Sequence, residues 1–95
     1  TAIFAGNDEM ALGIYQAARE LGLRVPYDIS VVGFDDTPIA SRISPTLTTV
    51  KLPIREMGKS AAEILLAPPD APRRTEPISF IPEIVVREST ARPAK

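Results

Sequence analysis

Two short apolar runs separated by a helical pattern constrain the fold of this chain more than any other feature. The first run is residues 2–5, Ala-Ile-Phe-Ala, and the second is residues 29–34, which are β-branched and apolar apart from one serine. Such runs are typical of strands that are buried on both faces in a parallel sheet. Residues 10–21 are rich in helix formers and follow candidate N-caps at Asn7 and Asp8. The pattern therefore predicts a strand-helix-strand unit of an α/β fold with a parallel sheet and flanking helices.

The second half of the chain continues this alternation of strands and helices. Apolar spacing predicts a third short strand over residues 47–52 and a helix over residues 54–67. Prolines dominate residues 68–74, which predicts a solvated loop, and a further proline interrupts the strand-like residues 78–87. The composition of residues 89–95 predicts a frayed tail. No internal repeat accompanies these elements.

The composition excludes several classes of function. Eleven basic and twelve acidic side chains leave a net charge of −1, so this stretch alone is not expected to bind DNA or a membrane surface. Cysteine and histidine are both absent, which excludes disulfides, thiolate zinc sites and thiol nucleophiles and disfavours hydrolases and metalloenzymes. The chain begins without methionine inside an apolar run. We therefore expect a fragment that, when alone, leaves apolar faces uncovered and self-associates.

Polar side chains follow the first two predicted strands. Asn7, Asp8 and Glu9 come after the first strand, and the second strand runs into a cluster that begins with Asp35 and Asp36. Ligands of open α/β sheets bind at the carboxyl ends of the strands, so both clusters are candidates for one site. Helix capping explains Asn7 and Asp8 equally well, and a turn explains Asp36. Asp35 has no evident capping role, which favours a contact with a ligand.

An enzymatic alternative uses the same carboxylates. Asp8, Asp35 and Asp36 are hard oxygen ligands that could together hold Mg²⁺ at the strand ends. A phosphate-handling enzyme also needs a Gly-rich loop or a suitably placed lysine, and the sequence has neither. We therefore predict that the chain is not an enzyme and holds no metal ion or cofactor.

The first predicted helix is apolar around most of its circumference. Met10, Ala11 and Ile14 begin one stripe that continues to the end of the helix, and Leu12 and Tyr15 lie beside that stripe. One sheet cannot cover both groups. The second group packs either on a neighbouring helix or on another subunit.

Several motifs together resemble transcription regulators of the lactose-repressor (LacI/GalR) family. They include residues 1–13 (TAIFAGNDEMALG), residues 21–26 (LGLRVP), residues 28–37 (DISVVGFDDT), residues 44–50 (SPTLTTV) and residues 84–90 (IVVREST). The resemblance covers residues 1 to 90. It implies a type I periplasmic-binding-protein-like fold with two lobes, in which residues 1–49 and about 83–90 belong to the C-terminal lobe and about 54–81 to the N-terminal lobe. Residues 50–52 and the stretch around Pro82 are then two of the crossovers between lobes.

The resemblance also implies a role for individual residues. Asn7 and Asp35 match positions that contact effector hydroxyls, Glu9 and Thr37 match positions that line the site, and Ile54 matches a position that is often aromatic. The aliphatic Ile54 argues against a stacked sugar or base at this spot. The positions that match the subunit interface are Leu12, Tyr15, Gln16 and Ile43.

The resulting expectation is the effector-sensing part of a DNA-binding repressor that binds a small molecule, most simply a sugar, and forms a homodimer in the cytoplasm. Operator DNA is bound only through a helix-turn-helix domain that these residues do not contain. The absence of a leucine-rich heptad tail after Thr90 favours a dimer over a tetramer. The alternative is an exported sugar-binding protein of a transport system. The sequence around Leu47 and the apolar stripe of Leu12 and Tyr15 favour the regulator.

Overall fold

The structure is a computed structural model, and it describes residues 1–93. The chain forms two compact units, of which the first comprises Thr1–Lys51 together with the described residues from Glu83 onwards and the second comprises Leu52–Pro82. In chain order the elements are β1 (Ala2–Phe4), α1 (Asp8–Glu20), β2 (Ser30–Val32), a 3-10 turn (Pro38–Ser41), β3 (Thr49–Lys51), α2 (Ile54–Leu66) and β4 (Glu83–Val85).

The first unit contains the predicted strand-helix-strand arrangement. Strands β1 and β2 pair in parallel with Ile3 opposite Val31, and β3 pairs antiparallel with β4. The amide of Gly33 donates to the carbonyl of Thr48 at 2.9 Å, which places the end of β2 beside the start of β3. The parallel sheet and flanking helix predicted for this part of the chain are confirmed.

Helix α1 begins where its cap was predicted. The Asn7 side-chain oxygen accepts a hydrogen bond from the amide of Met10 at 2.8 Å, which satisfies one of the free donors at the helix start. The inward face of the helix is made of small residues, Ala11 and Ala18, which lets the helix pack closely on the sheet. Together with Ala5, Val31 and Leu47 on the sheet side, they form a small buried core.

Strand β1 differs from the prediction in its burial. We expected a strand buried on both faces, yet all three residues of β1 are exposed, and 65% of the surface of Phe4 is accessible. Among the described residues β1 pairs with β2 alone, so its other edge and much of its surface have no covering partner. The prediction of full burial is therefore wrong for β1, whereas Ser30 and Val31 of β2 are buried.

The closing segment also differs from the prediction. A frayed tail was expected from residue 89, but Ser89 is fully buried and lies alongside β2. Its hydroxyl donates to the carbonyl of Val31 at 2.6 Å, and its own carbonyl accepts the Val31 amide at 2.9 Å. The same hydroxyl accepts the amide of Thr48 at 2.8 Å. One serine thus holds the closing segment against β2 and the start of β3, which composition does not reveal. Residues 94 and 95 of the predicted tail lie outside the described residues.

The second unit is built around helix α2. It spans Ile54–Leu66, begins directly after Pro53 as predicted, and has no buried residue. The predicted strand over residues 78–87 is shorter in the structure, because β4 starts only at Glu83, after the proline. Within residues 1–93, no helix combines the length and apolar character needed to cross a lipid bilayer.

Candidate functional site

The two polar clusters predicted from the sequence meet at one edge of the first unit. The amide of Asp8, the first residue of α1, donates to the carbonyl of Phe34 at 3.0 Å, just beyond β2. The amide of Ala5 donates to the carbonyl of Val32 at 2.8 Å, so the two strands end side by side. The carboxyl ends of parallel strands are the usual place for a ligand in this type of sheet.

Asp35 and Asp36 form an unusual turn at this edge. Asp35 has φ 111° and Asp36 has φ 56°, two successive residues in a region that favours glycine. Such conformations cost about 1–3 kcal/mol each and persist only where the surroundings enforce them. The amide of Asp35 donates to the carbonyl of Val50 at 2.8 Å, which holds the turn on β3. The Asp35 side chain is exposed, and its carboxylate has no hydrogen-bond partner among residues 1–93.

Asp36 has a different role from its neighbour. Its Oδ1 accepts a hydrogen bond from Nη2 of Arg87 at 2.7 Å, and only 15% of the Asp36 side chain is exposed. The Nη1 atom of Arg87 donates to the carbonyl of Leu47 at 2.9 Å. This ion pair ties the turn to the segment after β4. The pairing of Arg87 with Asp36 was not predicted from the sequence, because the two residues lie 51 positions apart along the chain.

Asp8 is the third carboxylate of the edge, and it is completely buried. Its Oδ2 accepts the amide of Thr37 at 2.7 Å and the Thr37 hydroxyl at 3.1 Å, while its Oδ1 accepts the Thr49 hydroxyl at 2.5 Å. Gly33 makes room for it, because a Cβ at that position would clash with Asp8 Oδ1. The sequence suggested capping, a ligand contact or metal binding for Asp8, so this internal contact was missed.

The other predicted effector contacts differ in exposure and in hydrogen bonding. Asn7 uses its side-chain oxygen for the helix cap, and Glu9 is exposed. Thr37 donates its hydroxyl to Asp8. Ile54 is 60% exposed and belongs to the second unit. Asp35 and Glu9 are therefore the predicted contacts of the first unit whose side chains have no hydrogen bond within the described part of the chain.

The magnesium alternative finds no support in this geometry. The carboxylate of Asp8 is bonded to Thr37 and Thr49, and that of Asp36 to Arg87. The described residues contain no group of three or more His, Cys, Asp or Glu side chains placed to hold a metal ion.

The four predicted interface residues line a second feature of the first unit, a surface groove of about 630 Å³. Leu12, Tyr15 and Gln16 contribute from α1, and Ile43 contributes from the segment opposite. The Tyr15 hydroxyl donates to the carbonyl of Pro45 at 2.8 Å, which closes one side of the groove. Partial burial raises the pKa of Tyr15 above its ordinary value, so the hydroxyl remains a donor. Tyr15 and Ile43 also pack on the core of their own unit.

Comparison with known proteins identifies the family of this chain. The model of the periplasmic binding protein-like domain matches residues 1–90. The chain is 49% identical over 92 residues to the HTH-type transcriptional regulator MalR of Streptomyces coelicolor, covering 96% of this chain and 27% of that protein. It is 44% identical over 93 residues to the HTH-type transcriptional repressor PurR of Vibrio vulnificus, covering 97% of this chain and 28% of that protein.

A solved structure agrees with these relatives. The LacI family transcriptional regulator from Enterococcus faecium with bound ribose has a TM-score of 0.82 and 34% identity, and the match covers 100% of this chain and 35% of that one. This chain thus spans about a quarter to a third of the proteins it resembles, and those relatives are transcriptional regulators rather than enzymes. The chain belongs to the periplasmic binding protein-like family, and the relatives that it matches are LacI-type transcriptional regulators.

Proposed function

We propose that the chain is the effector-sensing part of a cytoplasmic DNA-binding repressor, and that Asp35 is the main contact to a sugar or similar polyol. The observation that carries this proposal is the exposed Asp35 carboxylate on a strained turn. Three separate anchors hold the turn: the Asp35 amide on Val50, the Arg87 ion pair on Asp36, and Asp8 on Thr37. A strained backbone that is fixed so firmly, beneath a side chain with no internal partner, is typical of a binding site.

The chemistry of the edge favours a neutral, polyhydroxylated ligand. Asp35 and Glu9 offer carboxylate oxygens that accept hydrogen bonds from hydroxyl groups, and the side-chain amide of Asn7 retains its NH2 donor when its oxygen caps the helix. Two carboxylates would repel an anion. Solved neighbours hold ribose, lactose or sucrose, which fits this preference, although another is complexed with phosphate.

We also propose a domain assignment and a partner. The first unit corresponds to the C-terminal lobe of the effector domain, the second unit to elements of the N-terminal lobe, and operator DNA is bound by a separate helix-turn-helix domain. A second copy of the chain packs on the groove formed by Leu12, Tyr15, Gln16 and Ile43, in a two-fold arrangement in which each patch meets its own copy. The effector then acts by binding two geometries of the dimer unequally.

The test is the Asp35→Ala variant of the full-length regulator, titrated by calorimetry with ribose, lactose, sucrose and glucose. A hydrogen bond to a charged group contributes about 1.5–3 kcal/mol, so we expect affinity for the bound sugar to fall about ten- to a hundredfold. Thermal unfolding without sugar should not be impaired, because the Asp35 side chain has no internal partner in the described residues.

Asp70→Ala is the matched control, since Asp70 is an exposed aspartate in the loop of the second unit. It should bind the sugar with unaltered affinity. If Asp35→Ala binds as tightly as the unaltered protein does, Asp35 is not the effector contact. An unaltered protein that binds sugar but never operator DNA would favour the transport receptor.

A further inference from the structure

The buried carboxylate of Asp8 occupies a position that its predicted roles do not explain. The helix cap is Asn7, whose side-chain oxygen accepts the Met10 amide, so Asp8 is not needed for capping. Its side chain instead accepts hydrogen bonds from Thr37 and Thr49, which lie on the turn segment and on β3. It therefore connects three elements: the start of α1, the segment after the strained turn, and the strand that receives the Asp35 amide.

We propose that Asp8 is a positioning residue for the effector site, holding the Asp35 carboxylate in its binding orientation without touching the effector. The proposal rests on the proposed function, in which Asp35 contacts the effector. Thr37 is two residues beyond Asp35, and Thr49 is the neighbour of Val50, whose carbonyl accepts the Asp35 amide at 2.8 Å. Through Thr37 and Thr49, Asp8 thus connects the end of the turn to β3. The start of the turn is held by the same strand, through the Val50 carbonyl.

The geometry favours a carboxylate at position 8. Both oxygens of Asp8 act as acceptors, Oδ1 for one hydroxyl and Oδ2 for an amide and a second hydroxyl. Asparagine has the same size but only one acceptor oxygen, so when that oxygen accepts the two Thr37 donors, its NH2 group faces Thr49 and the Thr49 hydroxyl has to turn round to accept. The charge-assisted hydrogen bonds of the carboxylate are lost in either case, and these are the stronger ones. Burying a carboxylate carries a large desolvation cost, and here neutral donors rather than a cation offset it. Gly33 contributes by leaving the space that the carboxylate fills.

The first arm of the test needs no effector. Hydrogen exchange, followed by mass spectrometry on the full-length regulator, reports how often the segment 34–37 opens. We expect Asp8→Asn to accelerate exchange of this segment about tenfold, equivalent to about 1.4 kcal/mol of local opening. Asp28→Asn is the matched control: Asp28 also accepts three hydrogen bonds, all from Arg24, and is not bonded to the strained turn. Unchanged exchange in Asp8→Asn, or equal acceleration in both variants, overturns the proposal.

The second arm separates positioning from a general loss of stability. In the unaltered background Asp8→Asn should weaken sugar binding about tenfold, and in the Asp35→Ala background it should cause less than about a twofold further loss. A purely structural residue would weaken binding equally in both backgrounds, which would overturn the proposal. If Asp8→Asn does not fold, Thr49→Val removes one donor and should reproduce the effect, whereas Thr49→Ser keeps the hydroxyl and should restore binding; equal affinities of these two variants contradict the role.

The two experiments also distinguish a failure of the Asp8 proposal from a failure of the proposed function. If none of ribose, lactose, sucrose and glucose binds the unaltered regulator, the assignment of a sugar fails. The exchange measurement still decides whether Asp8 holds the Asp35 turn.

Discussion

Two adjacent aspartates just beyond β2 differ in burial and in hydrogen bonding although they are the same residue type. The carboxylate of Asp36 is paired with Arg87 and mostly buried, whereas that of Asp35 is exposed. The sequence distinguished Asp35 by its place after an apolar strand, and the structure keeps it as a candidate effector contact. The role of Asp36 was not predictable, because the guanidinium that pairs with it belongs to Arg87, far along the chain. No local sequence pattern indicates this pair.

A local charge pair allows a prediction of pH dependence at the scale of single residues. Hydrogen bonds from the Arg24 guanidinium and from its backbone amide lower the pKa of Asp28 from 3.8 to about 2. Because the folded-state pKa is depressed, the stabilisation is present above about pH 4 and is lost as the pH falls through about 2. Carboxyl-carbon NMR should therefore find Asp28 still mostly ionised at about pH 3.

The control for this titration is Arg24→Gln, which removes the guanidinium donor and should return the pKa of Asp28 towards 3.8. A midpoint that already lies near 3.8 in the unaltered protein would contradict the hydrogen-bonded turn. Both groups are solvent-accessible, with 72% of the Arg24 side chain exposed, so the contribution to overall stability should be small.

The helices and strands themselves were predictable, while their partners were not. Periodicity placed α1, α2 and the first two strands within a few residues, since apolar spacing and capping residues act locally. The burial of β1 was overestimated, because burial depends on what lies beyond the strand and not on the strand's own residues. Ser89 was missed for a related reason: a serine near the end of an irregular segment has no signature until the fold brings it beside Val31.

The position of Ser89 beside β2 gives a prediction at the scale of elements. Ser89→Ala leaves the Thr48 amide without its partner and removes one of two hydrogen bonds to Val31 in a fully buried place. We expect the free energy of unfolding to fall by about 3 kcal/mol, because buried groups left unsatisfied lose their hydrogen bonds without gaining water.

Ser41→Ala provides the matched control, because Ser41 is exposed and its hydroxyl donates to the carbonyl of Pro38 at 3.2 Å within one turn. Its effect should stay within about 0.5 kcal/mol. Urea unfolding of the full-length variants measures both changes. Equal, small losses of unfolding free energy for the two variants would show that the hydrogen bonds of Ser89 to Val31 and Thr48 do not stabilise the first unit.

At the scale of the whole molecule, both units expose large apolar side chains. Phe4 is 65% exposed in the first unit, and Leu65 and Leu66 are each 83% exposed in the second. Surfaces of this kind are usually covered by another part of a protein or by a partner. The relatives are about three to four times as long as this chain, and their additional residues are candidates to cover these surfaces.

The proposed homodimer can be tested by changing the charge of one groove. Leu12→Asp places a carboxylate at the groove shared by the four predicted interface residues, so association should become unfavourable. In the full-length regulator we expect monomers by analytical ultracentrifugation, with operator affinity lost and sugar binding retained.

Ala17→Asp introduces the same charge on α1 at an exposed position that does not line the groove, and it should leave the oligomeric state unaltered. A Leu12→Asp protein that remains a dimer of normal stability would exclude this groove as the subunit contact.

The positive φ of Asp35 brings thermal stability and the proposed effector contact into conflict at a single position. Glycine adopts φ 111° without a Cβ penalty, so it would relieve part of the strain that the aspartate imposes. A selection of random variants for heat resistance alone would therefore enrich glycine at position 35 and discard the carboxylate with it. Natural selection faces the same conflict, so the presence of aspartate rather than glycine at position 35 indicates a demand other than folding.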